Sequence, residues 1–173
     1  RHSLPYQLVG GLKFYERREI RDMIAYLRVI ANPPDDIALE RIINQPTRGI
    51  SAKSIGAIRS TARGRGTSEW EVIAGIEEPG HELRSALNKR AINSINAFVD
   101  MIKFLADRSH QVSITELIDV ILERSGYKRL IQEDQDRGDE RWDNILELRG
   151  TANHLDGTSP REELLEFLED AAL

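Results

Sequence analysis

The chain contains no cysteine. That excludes a disulfide scaffold, a thiolate metal site and a cysteine nucleophile, and it fits a reducing, intracellular compartment. Aromatic residues are scarce at 6%, so a core has to be built from Leu, Ile, Val and Ala. No apolar run approaches the roughly 18–20 residues that a membrane helix needs. The N-terminus shows no secretory apolar segment. Histidine is also sparse, and His2, His81, His110 and His154 stand too far apart to form a metal-ligand spacing. The G-x-x-x-x-G-K-[ST] phosphate loop is missing. "GISAKSIG" (Gly49–Gly56) has Lys53 but no second glycine ahead of it, so the backbone cradle of that motif cannot form. A G-x-S-x-G nucleophile elbow is missing as well. The first residue is Arg1 rather than Met, and we expect a fragment.

The 173 residues suffice for one domain, or one domain with a piece of another. Hydrophobic residues make up 40% and charged residues 31%, the balance of a soluble globular core. The net charge of −5 is unevenly placed. Residues 1–65 carry 12 Lys/Arg against 6 Asp/Glu, and residues 66–173 carry 12 against 23. Between Arg41 and Ser68 there are six basic residues, Arg41, Arg48, Lys53, Arg59, Arg63 and Arg65, and no acidic one. Local charge rather than overall pI decides which anion can dock. The acidic runs "EDQD" (Glu133–Asp136) and "EFLED" (Glu166–Asp170) read as solvated helix faces rather than a catalytic carboxylate pair. Trp142, at helical spacing, reads as core rather than a ligand platform.

Periodicity predicts an almost wholly helical chain. "LPYQLVGG" (Leu4–Gly11) reads as a single short strand and turn. A helix is expected over 16–32, with Ile20, Ile24, Leu27 and Ala31 on one face. "PPDD" stops it and caps the next helix, which Pro46 ends. Ser51 to about Arg63 forms a further helix, and Ser68 with Glu71 caps a short one. A long helix is expected over 82–108, with a stripe of Leu83, Leu87, Ala91, Ile95, Phe98, Ile102 and Leu105. Ser113 and Glu116 cap a helix facing Ile114, Leu117, Ile118, Ile121 and Leu122 inward, and Gly126 ends it. Tyr127, Leu130 and Ile131 begin another. After Gly138, the expected inner face is Trp142, Ile145, Leu146, Ala152 and Leu155. The last helix has Ser159 as N-cap, Pro160 in its first turn, and Leu164, Leu165, Leu168 and Ala172 as its core face. A lone strand cannot satisfy its backbone groups, so the strand is expected to belong to a sheet completed elsewhere.

The segment "QPTRGISAKSIGAIR" (Gln45–Arg59) carries the chemistry. A turn at Arg48–Gly49 opens a helix at Ser51. The first amides of a helix lack internal partners and sit at the positive end of its dipole, which suits a phosphate. Gly49 allows close backbone approach. Ser51 and Ser54 add hydroxyls, Arg48 and Lys53 add charge, and Arg59 and Arg63 lie four residues apart on an adjoining face. Such a set can hold a nucleic-acid backbone without reading bases. The residues alone leave a second reading open, an ordinary N-cap with a solvated basic face.

"LPYQLVGGLKFYERREIRDMIAYLRVIANPPDD" followed by "RIINQPTRGISAKSI" resembles the second RecA-like half of UvrD/PcrA/Rep-type DNA helicases of superfamily 1. The match runs nearly position by position through Leu4–Arg28, then Arg41–Ser54. "GYKRL…RWDNILEL" and "LLEFLEDAAL" resemble the weaker C-terminal signals of the family. The resemblance implies a mainly α fold. Residues 1–45 would be the entering piece of motor subdomain 2A, with its one orphan strand, and residues 46–173 the inserted multi-helix subdomain 2B.

It also implies a function. The "RGIG" element of that family, which contacts the duplex backbone ahead of the fork, falls on Arg48, Gly49, Ile50 and Ser51, with Ser54 at a Thr position. Ser51 replaces the second glycine. Gly10, Gly11, Phe14 and Arg17 match the motor block. Phe14 is expected to pack, and Arg17 to serve either as an ion pair or as a DNA contact. The Walker motifs lie upstream in the family and the later helicase motifs downstream. The fragment itself is therefore expected to use no cofactor and to perform no catalysis. A full-length parent would be an ATP- and Mg-dependent 3′→5′ DNA helicase, cytoplasmic and nucleoid-associated in a bacterium. The implied partners are the double-stranded DNA backbone, the remaining motor domains and DNA-repair proteins, with no membrane. The alternative function is a protein-interaction or autoregulatory helical module that uses the acidic half without touching DNA. Nothing in the sequence supports a free-standing helical enzyme.

Overall fold

The computed structural model describes residues 13–172 except 156 and 158. The predicted strand at Leu4–Gly11 lies outside the described residues. Within them the chain is helical, with no strand. A helical turn over residues 13–16 (α1) leads into α2 (Arg18–Ala31), α3 (Asp36–Ile42), α4 (Ala52–Arg65) and α5 (Glu69–Ala74). These are followed by α6 (Glu82–Ala86), α7 (Lys89–Arg108), α8 (Ile114–Ser125) and α9 (Tyr127–Gln132). Helix α10 (Gly138–Thr151), a 3-10 turn (Ala152–His154) and α11 (Pro160–Ala172) complete the order.

The helix starts follow from local chemistry. A side-chain acceptor takes one of the orphan first-turn amides at seven of them. Asp35, Ser51, Ser68, Asn88 and Ser113 accept from the amides of Ala38, Ser54, Glu71, Ala91 and Glu116. Ser159 accepts from Glu162 at 3.2 Å. His81 caps α6 by an unusual route. Its Nδ1 accepts from the Leu83 amide at 3.1 Å, which leaves the proton on Nε2, 2.7 Å from the Val72 carbonyl. This buried histidine is a satisfied structural group rather than a ligand.

Two expectations need correction. The single helix over 82–108 is two helices. Leu87 is extended (φ −120°, ψ 155°), and Asn88 caps α7 through a 2.8 Å bond from Ala91. The apolar stripe ran through this break because α6 and α7 both pack inward on either side of it. The inner faces of the last two helices are also rotated from the expected ones. In α10, Leu146 is exposed, and Arg141, Asn144, Ile145 and Leu148 face inward. In α11, Phe167 joins Leu164 in the core, while Leu165 is 48% exposed and Ala172 is at the surface.

The reason lies in α2, the central helix. It packs against α3, α7, α10 and α11. Ile20, Met23, Tyr26, Leu27, Val29 and Ile30 are buried, and each such side chain contributes about 1.5–3 kcal/mol of transfer free energy. Glu19 and Asp22 are buried as well, so they need partners. Asn144 Nδ2 donates to Glu19 at 2.6 Å, and Arg141 Nε lies 3.5 Å from Glu19. The Tyr127 hydroxyl donates to Asp22 at 2.5 Å and accepts from Arg141 at 3.3 Å. Arg41 Nε closes on Asp22 at 2.8 Å, and Arg141 Nη1 reaches Asp134 at 2.9 Å. Burial, then the charge of Asp22, raises the Tyr127 pKa, so its hydroxyl stays a donor. This seam turns the polar residues of α10 inward and Leu146 outward. No buried side-chain polar atom among the described residues lacks a partner.

One carboxyl group is held protonated between α3 and α5. Glu69 is buried, its amide donates to Asp36 at 2.9 Å, and its carboxyl hydrogen-bonds Glu40. Burial, the Glu40 hydrogen bond and the charges of Glu40 and Asp36 push Glu69 from the ordinary 4.5 up to about 8. Arg59, on the other side, holds Glu40 below the usual range.

Two outcomes are expected. Tyr127→Phe leaves Asp22 and Arg141 each short of a buried partner and should cost about 1–3 kcal/mol in urea denaturation; an unchanged midpoint would remove the seam from the stability argument. Folded Glu69 keeps a proton that the unfolded chain releases. Its contribution to stability is therefore complete below about pH 4.5 and is lost as pH rises to about 8. Denaturation midpoints measured across that window should fall for the wild type and fall less for Glu69→Gln.

Candidate nucleic-acid interface

The loop between α3 and α4 is built around Asn44 and Arg48. Asn44 Oδ1 accepts from the amides of Arg48 and Ile50, both at 3.2 Å, and its Nδ2 donates to the Ile50 carbonyl. The Gln45–Pro46 peptide is cis. Gly49 turns the chain at φ +76°, a conformation that side chains disfavour, although a Cβ there would meet nothing within 4 Å. Ile50 then drops into the core and anchors the loop.

Arg48 points inward. Its Nη1 donates to the carbonyls of Ile42 and Ile43 at 2.6 and 2.9 Å, and its Nη2 donates to the Tyr26 hydroxyl at 2.5 Å. The guanidinium also lies 5.1 Å from the centre of the Phe98 ring. It satisfies the C-terminal carbonyls of α3 with a cation, which the helix dipole favours. The Tyr26 hydroxyl passes the bond on to the Gln45 carbonyl at 2.5 Å. Burial raises the Tyr26 pKa against the lowering effect of Arg48.

At the entrance of α4, Ser51 Oγ accepts the Ser54 amide at 3.1 Å and lies 3.1 Å from Ser54 Oγ. Ser54 is buried, while Ser51, Ala52 and Lys53 are exposed. Further along, Arg59, Ser60, Arg63 and Gly64 are exposed, and the helix contains no Asp or Glu. Lys53 and Arg63 have no ion-pair partner among the described residues. Arg59 and Arg65 do. Arg59 forms a two-armed pair with Glu40 at 3.1 and 2.6 Å, and Arg65 Nε reaches Glu82 at 3.0 Å.

The structure thus brings Ser51, Lys53 and Arg63 to one open surface. It sends Arg48, Ile50 and Ser54 into the support behind that surface, and holds Arg59 at its edge. Sequence reasoning missed the smooth track between the cations. Gly56, Ser60 and Gly64 recur every four residues, and a Cβ at Gly56 or Gly64 would meet nothing within 4 Å. No packing demand therefore explains those two glycines, and the four-residue spacing was the available signal. Arg17 forms no ion pair among the described residues. It donates to Asn144 at 2.5 Å and lies over the ring of Phe14, which is buried as expected. Trp142 is half-buried against the core.

No helix among the described residues is long and apolar enough to cross a membrane. The UvrD-like helicase C-terminal domain matches residues 1–173. The ATP-dependent DNA helicase PcrA of Staphylococcus epidermidis is 36% identical over 99% of this chain and 23% of its own length. PcrA of Bacillus subtilis is 36% identical over 99% of this chain and 22% of its own. DNA helicase II of Salmonella typhimurium is 33% identical over 99% and 24%. The chain therefore spans about a quarter of the length of these relatives. With the match running from Arg1 to Leu173, the chain belongs to the UvrD-like helicase C-terminal domain family.

Proposed function

We propose that residues 46–173 are the 2B-type insertion of an ATP-dependent 3′→5′ DNA helicase, and that the entrance of α4 rests on the duplex backbone ahead of the fork. Residues 1–45 are read as the entering piece of the second motor domain. The observation that carries this reading is the outward face of α4, where Ser51 and Lys53 flank a helix N-terminus free of carboxylates and Arg63 is exposed in the last turn. A phosphodiester there would meet the first-turn amides that Ser51 leaves unpaired and the Lys53 ammonium, with Arg63 on phosphates further along. Gly56, Ser60 and Gly64 let the backbone lie close between them. Arg48 is a positioning residue in this account, because its donors are already engaged. Ser51 stands where the related helicases carry glycine, and its Oγ is folded back onto Ser54, away from the approaching phosphate.

ATP and Mg belong to the remainder of the longer protein in this reading. Residues 1–173 contain no phosphate loop, and among the described residues no group of three or more His, Asp or Glu could hold a metal ion. A second reading uses the acidic half. Helix α11 exposes Leu165 among Glu162, Glu166 and Glu169, a surface suited to a basic partner protein such as a DNA-repair factor or to the other motor domains.

Duplex binding at low salt separates the two. Lys53→Glu combined with Arg63→Glu should weaken binding of a mixed-sequence duplex about ten-fold or more, and each lost contact should flatten the log–log salt dependence by about 0.9. Unchanged affinity in this double variant would leave only the acidic surface. Arg48→Lys keeps the charge but not the fork that spans Ile42, Ile43 and Tyr26. It should lower stability by about 2 kcal/mol in denaturant. Full stability together with weakened duplex binding in Arg48→Lys would instead make Arg48 a direct phosphate contact.

A further inference from the structure

Arg59 and Arg63 lie one helical turn apart, yet of the two only Arg59 has an ion-pair partner among the described residues. Arg59 Nε and Nη2 grip Glu40 Oε2 and Oε1 at 3.1 and 2.6 Å. The Arg59 side chain is 51% exposed and that of Glu40 29% exposed, so the pair is open to a competing anion. A phosphodiester presents two oxygens to a guanidinium fork much as a carboxylate does. Exposed pairs of this kind are weak enough to exchange.

We propose that Glu40 is a built-in competitor for duplex phosphate, holding Arg59 in reserve and setting how many cations of α4 a DNA backbone meets. The proposal rests on the reading of α4 as the DNA-facing helix. On binding, Arg59 leaves Glu40 for a phosphate oxygen. The Glu40 carboxylate keeps the hydrogen bond from Glu69 behind it and gains water in front. The charged and titratable groups around the exchange are Asp36 and Glu40 of α3, Arg59 of α4 and the protonated Glu69 of α5.

The test is fluorescence anisotropy with a short labelled duplex of mixed sequence and the 173-residue chain, with circular dichroism on each variant. Glu40→Gln should tighten binding about three-fold at low salt and steepen the salt dependence by about 0.9. Glu147→Gln, on the exposed face of α10, adds the same charge at a distance and should not reproduce the gain. In an Arg59→Ala background, Glu40→Gln should have no effect. Failure of Glu40→Gln to tighten binding, or a gain that survives Arg59→Ala, overturns the proposal. The α4 reading fails separately. If Lys53→Glu with Arg63→Glu leaves affinity intact while Glu40→Gln still acts through Arg59, the competitor stands and the wider assignment falls.

Discussion

The guanidinium of Arg48 is the tie on which the α4 entrance depends. One planar group satisfies two terminal carbonyls of α3, the hydroxyl of Tyr26 in α2 and the face of Phe98 in α7. Three helices from separate parts of the sequence therefore fix one loop. That loop in turn sets the direction of α4, because Gly49 reverses the chain and Ile50 pins it within two residues of the tie. A lysine offers three donors from a single point and could not span these acceptors. The exposed chemistry of α4 is thus held by a half-buried cation whose guanidinium is turned inward.

The polar seam along α2 applies the same logic on a larger scale. Glu19 and Asp22 on a central helix would be strongly destabilising if left unpaired. Apart from Arg41, their partners come from more than a hundred residues away, in α9 and α10. An apolar seam of the same volume is often at least as stable, but it lacks the directional bonds that tie one helix face to another. Hydrogen bonds at 2.5–2.8 Å to Asp22 and Glu19 supply that tie. The segments on either side of residue 45 consequently share a single core, and the entrance of α4 sits on a rigid support.

Much of this was legible in the sequence, and the exceptions share a cause. The caps at Ser51, Ser68, Ser113 and Ser159 could be read because capping is decided within four residues. The buried face of α8 could be read because it is apolar up to Ser125 at its end. The inner face of α10 could not, since Arg141 and Asn144 are inward only because Glu19 and Asp22 are buried opposite them. Periodicity scores those residues as surface. Arg48 was legible as important and as basic, but its direction depends on carbonyls and rings brought together by folding. The break at Leu87–Asn88 was hidden because two helices continued one stripe. The pairing of Arg59 with Glu40 spans 19 residues and left no local trace.

Charge shows why such long-range pairing matters for the site. A chain of net charge −5 repels a polyanion at distance. Within about a Debye length, some 10 Å at moderate salt, only the local groups count. Along α4 these are Lys53 and Arg63, unpaired among the described residues, with Arg59 and Arg65 each neutralised by a glutamate from a neighbouring helix. A helix with all four cations free would hold nucleic acid strongly and release it slowly. With two of them paired, the proposed contact would be weakened without removing the cations. Glu82, held down at about 2 by Arg65, remains charged across the physiological range, whereas Glu40 is backed by the titrating Glu69. The two pairs are therefore unlike: one is a fixed charge balance, and the other sits beside a carboxyl whose protonation changes near neutral pH. The strength with which α4 presents its charge is set by that neighbourhood as much as by its own residues.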